Sequence, residues 1–378
     1  MIRRIAQTLA CLSLLLGASG VVLAEMRLNL QDPNTAIAHE IYDLHNVILG
    51  ICVIIFIVVF GAMLVAIIKH RKSVGHRAEQ FHENTTVEIL WTVIPFLILV
   101  GMAYPSTKTL LAMRDTSNPD MTIKATGFQW KWRYDYLEDD VSFYSNLATP
   151  RDQIQGSAAK GEHYLLEVDN PVVVPVGKRI RVLTTANDVI HAWWVPAFGV
   201  KQDAIPGFVR DTWFRAEQTG TYRGQCAELC GKEHGFMPIV VEVVSEDKYK
   251  EWVAQQKAKK AQSGAAAAAD VNKTYTMDEL KAQGEKVYAK TCVACHQPNG
   301  QGMPPAFPSL VGGKISTGPL AAHMDIVVNG SKKNPAMVAW KTQLSDLEIA
   351  SVITYERNSF GNKVGDMVQP KEIAALRK

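Results

Sequence analysis

Two long apolar stretches near the N-terminus constrain how this chain can fold more than any other feature. Residues 47–68 are 22 consecutive residues without a charge. As a helix they would span about 33 Å, the thickness of a bilayer core. A second apolar stretch, 89–104, contains Pro95, which membrane helices tolerate. The basic loop 69–77 between them should face the cytoplasm. We therefore predict a two-helix membrane hairpin, with everything after about residue 114 on the periplasmic side.

The first 24 residues have the pattern of an export signal. Arg3 and Arg4 precede a short apolar core, and the small residues 22–24 form a cleavage site. A lipid anchor on Cys11 fits poorly because the apolar stretch before it is too short, so Cys11 should leave with the signal. The chain is then a multi-pass protein of the bacterial inner (plasma) membrane with two helices.

Charge and cysteine usage narrow the function. The net charge is +3 and no basic stripe is present, so we expect no nucleic-acid partner. Of six cysteines, Cys52 lies in the first apolar stretch, and four form two close pairs in the exported part of the chain. Disulfides are common in exported proteins. Each pair, however, has a histidine at ligand spacing, which points to metal.

The exported part changes character twice along its length. Short β-rich runs such as 165–168, 172–176, 180–183 and 239–244 indicate an all-β domain. The alanine run within 257–272 could be helical, but the low complexity of this segment and its flanking polar residues favour a mobile tether. Helical periodicity follows at 277–290, 320–328 and 345–357. We divide the chain into a signal peptide (1–24), an N-terminal segment with two transmembrane helices (25–115), an all-β domain (116–250), a linker (251–274) and an all-α domain (275–378).

Residues 226–237 place two thiols, an imidazole and a thioether within twelve positions. These donors are Cys226, Cys230, His234 and Met237. Thiolate and thioether are soft ligands that select copper, and imidazole also suits copper. His191, near a predicted strand end, is the best-placed second histidine. A single blue-copper ion needs only one cysteine, so the second thiolate favours two copper ions bridged by both sulfurs.

Two other structures could explain the same loop. A Cys226–Cys230 disulfide would leave both histidines without a role. A zinc site of the Cys/His kind would leave Met237 without one. Copper uses all of these residues.

Cys292-Val293-Ala294-Cys295-His296 is the attachment pattern of a c-type haem. Both thiols can reach the vinyl groups of the haem, and the adjacent His296 then faces the iron. Without the following histidine the pair could be a redox-active Cys-x-x-Cys. The exported location and a downstream methionine favour haem.

The sixth haem ligand is a choice among four methionines. Met303 follows His296 by only seven residues and would have to cross the haem at once. Met324 lies in a predicted helix, and Met367 is near the C-terminus. Met337 lies 41 residues after His296, which is long enough for the chain to reach the opposite face. We therefore predict Met337. A methionine opposite histidine raises the reduction potential.

Residues 30–250 resemble subunit II of the haem–copper cytochrome c oxidases, and the C-terminal domain resembles class I cytochromes c. The motifs that carry the first resemblance are Val87-Glu88-Ile89-Leu90-Trp91-Thr92, Gln129-Trp130-Lys131-Trp132 with Tyr134 and Tyr136, Leu166-Glu167-Val168-Asp169-Asn170, the segment around His191, Asp203-Ala204-Ile205-Pro206-Gly207 and the loop 226–237. The resemblance implies a cupredoxin-like barrel that holds a mixed-valence dinuclear copper A centre.

The resemblance also assigns roles to individual residues. The side-chain copper ligands would be His191, Cys226, Cys230, His234 and Met237. Glu228 would bind copper through its backbone carbonyl and Mg²⁺ through its carboxylate, at the border with subunit I. Trp130 would be the aromatic residue through which electrons enter, although a core tryptophan would look the same. Glu88 would lie at the mouth of a proton channel, although a solvated helix end would also explain it.

The whole pattern implies subunit II of a caa-type oxidase with a fused cytochrome c. Electrons from soluble cytochrome c or a quinol–cytochrome c reductase would pass through the haem and copper A to subunit I. Oxygen reduction and proton translocation would occur there, with subunit III as a further partner. A nitrous oxide reductase is excluded by the chain length, and a quinol oxidase by the complete copper ligands. A nitric oxide reductase with the same copper centre, or a copper chaperone or redox sensor, stays open.

Overall fold

The protein is described by a computed structural model that covers residues 29–75, 82–305, 307–334 and 337–377. The predicted signal peptide and Cys11 lie outside the described residues. The chain divides into two units. The first extends to Leu110 and includes Pro196–Gly199, and the second comprises Leu111–Val195 and Val200–Lys378.

Two long helices dominate the first unit. Helix α1 is Ala36–Lys69 and helix α2 is Thr85–Arg114, with Pro95 and Pro105 inside α2. By length and composition both could cross a membrane, and their apolar side chains are exposed rather than buried within the protein. Thr109 of α2 donates a hydrogen bond to the Glu40 carboxylate of α1 at 3.2 Å. The predicted pair of membrane helices is confirmed.

The second unit begins with two five-stranded sheets. One has the order β3-β2-β1-β5-β8 and the other β4-β10-β9-β6-β7. The strands are β1 Met121–Phe128, β2 Lys131–Tyr136, β3 Val141–Ser145, β4 Val172–Pro175, β5 Ile180–Ala186, β6 His191–Val195, β7 Val200–Ala204, β8 Arg210–Phe214, β9 Gly220–Cys226 and β10 Pro238–Val244. A short helix, α3, is Arg151–Gln155. Residues 165–168 were expected as a strand, but Leu165 lies in a turn with a φ of 61°, and only Val168 pairs, in an isolated bridge with Leu147.

Strand β2 shows why these segments pair as sheets. Its buried side chains are Trp132, Tyr134 and Tyr136, and they alternate with partly exposed residues. A period of two places one face of the strand in the core. The Tyr134 hydroxyl accepts a hydrogen bond from Trp193 Nε1 of the other sheet at 3.2 Å. Aromatic side chains therefore fill the space between the sheets, as in a cupredoxin-like domain.

The segment expected as a mobile tether is a helix, so that prediction is wrong. Helix α4 is Glu246–Asn272 and includes most of the expected linker, 251–274. Ser245 caps its N-terminus, and Glu246 and Asp247 lie in the first turn, where carboxylates are favourable. Alanine has the highest intrinsic helix propensity of any residue type. The alanine run therefore favours a helix even though the segment is of low complexity.

Five further helices are found among the described residues of the C-terminal domain. They are α5 Met277–Thr291, α6 Val293–His296, α7 Leu320–Asn329, α8 Asp346–Arg357 and α9 Pro370–Leu376. The three helices predicted here are confirmed. Capping boxes begin α5 and α8, at Thr276 and Ser345. Gly284 lets α5 and α8 approach closely, because a Cβ there would lie 2.1 Å from the Ser351 carbonyl oxygen. Helix α4 packs against β3 and β4 as well as α8 and α9.

Candidate functional site

Two imidazoles and a thioether surround the thiols of Cys226 and Cys230 at one end of the β domain. The two Sγ atoms are 3.9 Å apart and both cysteines are free thiols. Cys230 Sγ lies 3.5 Å from His234 Nδ1 and 3.6 Å from Met237 Sδ. Cys226 Sγ lies 3.9 Å from His191 Nδ1. The structure therefore brings together all five predicted side-chain ligands.

The strands explain how distant residues meet here. Cys226 is the last residue of β9 and His191 the first of β6, and these two strands pair. The other donors lie in the connection from β9 to β10. Gly127 of β1 leaves room for the imidazole, because a Cβ there would lie 2.7 Å from His191 Cδ2. The ligand atoms of His191, Cys226 and Cys230 all lie within 4.8 Å of one another.

Asp188 orients His191, a role that sequence reasoning missed. Its carboxylate lies 2.9 Å from His191 Nε2 and accepts a hydrogen bond from the Gln129 backbone at 2.7 Å. A carboxylate on Nε2 fixes the ring and leaves Nδ1 directed at the sulfurs. The only signal in the sequence was an acidic residue three positions before the histidine.

The two thiols share a hydrogen bond that separates their acidities. Because the Cys230 thiol donates to it, the pKa of Cys226 is lowered far below that of a free thiol. The same contact and burial raise the pKa of Cys230. Burial lowers the pKa of His191, but hydrogen bonds to Asp188 and Cys226 more than offset it, so the net shift is upward. The cluster combines thiol, imidazole and thioether groups, a donor set that suits copper.

Glu228 and two tryptophans make further contacts at the predicted copper ligands. The backbone oxygen of Glu228 lies 3.4 Å from Cys226 Sγ, while its side chain is exposed. Trp130 is buried, and its Nε1 donates a hydrogen bond to the Cys230 carbonyl at 3.1 Å. Trp132 Nε1 donates to the Met237 carbonyl at 3.3 Å. The aromatic residue expected to admit electrons therefore contacts the backbone of a predicted ligand.

A cavity of about 440 Å³ lies in the helical domain. Ligand pockets of 300–1,000 Å³ are typical of small-molecule and cofactor sites. Its lining is mainly apolar and includes Cys292, Cys295, His296, Met337, Trp340 and Leu344. Both cysteines are free. The predicted attachment residues therefore open into one cavity of suitable size.

The methionines separate by position. Met337 lines the cavity together with His296. Met303 is not among the described residues that line the cavity, and its Sδ lies 3.7 Å from Lys232 Nζ. Met324 packs against the helical core, and Met367 is 42% exposed. Of the four candidates, Met337 is the one among the lining residues of the cavity in the described part of the chain.

Polar groups in the cavity fit a haem. His296 Nδ1 lies 3.0 Å from the Pro308 carbonyl, which leaves Nε2 for iron. His323 is 2% exposed and bonds Glu356 through Nε2 at 2.9 Å. Its buried Nδ1 has no hydrogen-bond partner in the described part of the chain. A group with polar substituents would satisfy that nitrogen.

Comparison with known proteins agrees with this arrangement. Residues 121–244 match the family "Cytochrome C oxidase subunit II, periplasmic domain", and residues 24–109 match its transmembrane domain. The chain is 40% identical over 232 residues to cytochrome c oxidase subunit 2 of Cyanidium caldarium, covering 60% of this chain and 89% of that protein. This chain belongs to the cytochrome c oxidase subunit II family. Subunit 2 of Cereibacter sphaeroides is 39% identical over 238 residues, covering 60% of this chain and 78% of that one.

The C-terminal helical domain matches a second protein family. Residues 279–355 match the family "Cytochrome C oxidase, cbb3-type, subunit III", so this subunit II carries a fused C-terminal cytochrome c domain. The crystallised periplasmic domain of subunit II from Bradyrhizobium japonicum is 49% identical, covering 38% of this chain and 98% of that one, with a TM-score of 0.35. Membership of these families implies copper and haem c binding and a place in the oxidase complex of the inner membrane.

Glu88 belongs to the first unit. It is exposed in the first turn of α2 and accepts a hydrogen bond from the Asn84 backbone at 3.1 Å. That contact is typical of a carboxylate at a helix N-terminus.

Proposed function

We propose that this subunit carries electrons from cytochrome c, through its own haem c and a dinuclear copper A centre, to the haem–copper site of subunit I. There oxygen would be reduced to water, coupled to proton translocation. The observation that carries the proposal is that the loop 226–237, which holds most of the copper donors, contacts the cytochrome domain within one unit. Lys232 of the loop contacts Met303, and burial together with the Glu233 carboxylate raises the pKa of Cys295 to about 11.

The copper ligands follow from the cluster geometry. We assign two copper ions because two thiolates lie between two imidazoles and a thioether. The assigned ligands are His191, Cys226, Glu228 through its carbonyl, Cys230, His234 and Met237. A copper pair held by these residues would supply reversible one-electron transfer. The exposed Glu228 carboxylate is available for Mg²⁺ shared with subunit I.

The remaining assignments concern the haem and the routes of electrons and protons. Cys292 and Cys295 would hold the haem covalently, with His296 and Met337 on the iron. Trp130 would pass electrons to the copper site. Glu88 would face a proton channel of subunit I on the cytoplasmic side.

The partners are subunits I and III, with soluble cytochrome c or a quinol–cytochrome c reductase as the electron donor. The copper and haem domains would lie on the periplasmic side of the inner membrane.

A Met337→Leu variant tests the axial assignment. Leucine keeps the volume and apolar character but removes the sulfur ligand. We expect the haem reduction potential to fall by on the order of 0.1 V, measured by redox titration of the haem absorption. Met303→Leu is the matched control and should leave the potential unchanged. A fall in Met303→Leu with none in Met337→Leu would reverse the assignment.

Rapid mixing of the intact oxidase with reduced cytochrome c tests the function itself. Haem reduction should come first, and copper reduction should follow at a rate independent of donor concentration, because the second step is internal. Both are followed by absorption in the same sample. Copper reduction that precedes haem reduction, or that scales with donor concentration, would contradict the proposed route.

A further inference from the structure

Lys131 of the copper domain is enclosed by residues of the cytochrome domain. Its Nζ donates a hydrogen bond to Gln343 Oε1 at 2.5 Å. The same amine lies 4.7 Å from the centroid of the Trp340 ring and 4.9 Å from that of Tyr144. Two aromatic faces, one from each domain, therefore flank one ammonium group.

The neighbours of Lys131 place it between the two cofactor sites. Trp130, the preceding residue, donates its hydrogen bond to the carbonyl of Cys230. Trp340, on the other side, lines the haem cavity. Trp130, Lys131 and Trp340 therefore connect the predicted copper ligand Cys230 with the wall of the haem cavity.

Burial at this position has an electrostatic cost. Desolvation lowers the pKa of Lys131 to about 8, although the carboxylates of Asp188 and Asp169 act in the opposite direction. A lysine used only for solubility would extend into water. An ammonium kept between two rings and an amide carbonyl instead specifies one orientation of the surfaces it joins.

We propose that Lys131 is a positioning residue that fixes the cytochrome domain over the Trp130 face of the copper domain. The inference rests on the proposed function, because it presumes transfer from haem to copper. It adds that Lys131 keeps the haem site and the copper site in a fixed relative position. It also implies that an external cytochrome c meets the haem domain, since Gln343 and Trp340 already cover Lys131, the residue next to Trp130.

Flash reduction of the haem in the purified oxidase complex measures the internal step directly. We expect Lys131→Met to slow haem-to-copper transfer about tenfold, because the charge and the hydrogen bond are lost together. Lys131→Arg should restore most of the rate, since a guanidinium also stacks on aromatic rings. Lys131→Met combined with Gln343→Ala should be no slower than Lys131→Met alone, because both remove one contact.

Lys124→Met is the matched control. Lys124 lies on neighbouring β1, at the register position opposite Asp135, away from the Phe128–Lys131 end of the strand pair. Its replacement should leave the rate unchanged. An unaltered rate in Lys131→Met, or an equal loss in Lys124→Met, would overturn the proposal. Absence of any haem-to-copper transfer in the wild type would instead refute the proposed function.

Amine acylation followed by mass spectrometry gives a readout that is independent of electron transfer. Lys131 should react more slowly than Lys124 in the wild-type complex, because the cytochrome domain covers it. Gln343→Ala should raise the Lys131 rate severalfold and leave that of Lys124 unchanged. Equal reactivity of the two lysines in the wild type would show that the domains do not rest on Lys131, and would overturn the proposal.

Discussion

A Cys230→Ser variant is expected to lose the dinuclear copper centre while keeping its fold. The Cys230 sulfur is the hub of the cluster, within 3.9 Å of Cys226, His234 and Met237 donor atoms. Serine has nearly the same shape, but its oxygen is a hard and weak donor. Copper affinity should therefore fall by more than about a hundredfold, beyond the loss typical of residues that only orient a ligand. Metal analysis and the electron paramagnetic resonance signal of the mixed-valence pair measure it.

Cys52→Ser is the matched control for that experiment. Cys52 is a free, exposed cysteine within α1, and its replacement makes the same chemical change away from the metal donors. It should retain two copper ions per chain and the full signal. Retention of both ions in Cys230→Ser would refute the bridging role. Loss in Cys52→Ser would mean that copper content reports assembly rather than ligation.

The copper loop was predictable because most of its donors are close in sequence. Cys226 ends strand β9, and Cys230, His234 and Met237 follow it in the connection to β10, so their spacing alone identifies a soft metal site. His191 is 35 residues away, and only the pairing of its strand with the cysteine strand brings it near. Asp188 was not predicted as its partner, because a hydrogen bond to one ring nitrogen leaves no periodic pattern in a sequence.

The connecting helix was missed because composition was weighed above propensity and long-range contacts. The hydroxyl of Tyr249 donates a 2.6 Å hydrogen bond to Asp139, and Trp252 packs 5.1 Å from Tyr136 between ring centroids. These partners lie more than a hundred residues earlier in the chain. Tertiary contacts of this kind stabilise a helix more than intrinsic propensity does.

A helix in place of a tether changes the physical account of the subunit. A flexible tether only raises the effective concentration of one domain near another. Helix α4 packs against β3 and β4 and also against α8 and α9. The cytochrome domain is therefore connected through a structured element and contacts the copper domain at Lys131 and Lys232. Electron transfer then depends on the fit of surfaces more than on the length of a linker.

Replacing both Cys292 and Cys295 by alanine is expected to remove the haem from the chain. Both thiols line the cavity and are the only covalent anchors offered there among the described residues. Without them a haem would be held by axial bonds alone. We expect no haem to stay with the denatured polypeptide in gel staining. Oxidase turnover with soluble cytochrome c should fall on the order of a hundredfold, the lower range of what tethering two sites contributes.

The same double variant tests whether electrons must pass through the haem to reach copper or can bypass it. Its copper content and mixed-valence signal should be unchanged, because the copper donors lie on β6, β9 and the β9–β10 connection rather than in the helical domain. A variant that keeps copper but loses turnover shows that electrons enter through the haem. Full turnover with copper intact would show that external cytochrome c reduces copper directly, so that the haem is not the entrance. Loss of copper as well would leave the route to be measured in Met337→Leu, where haem attachment is retained and a lowered potential should slow copper reduction.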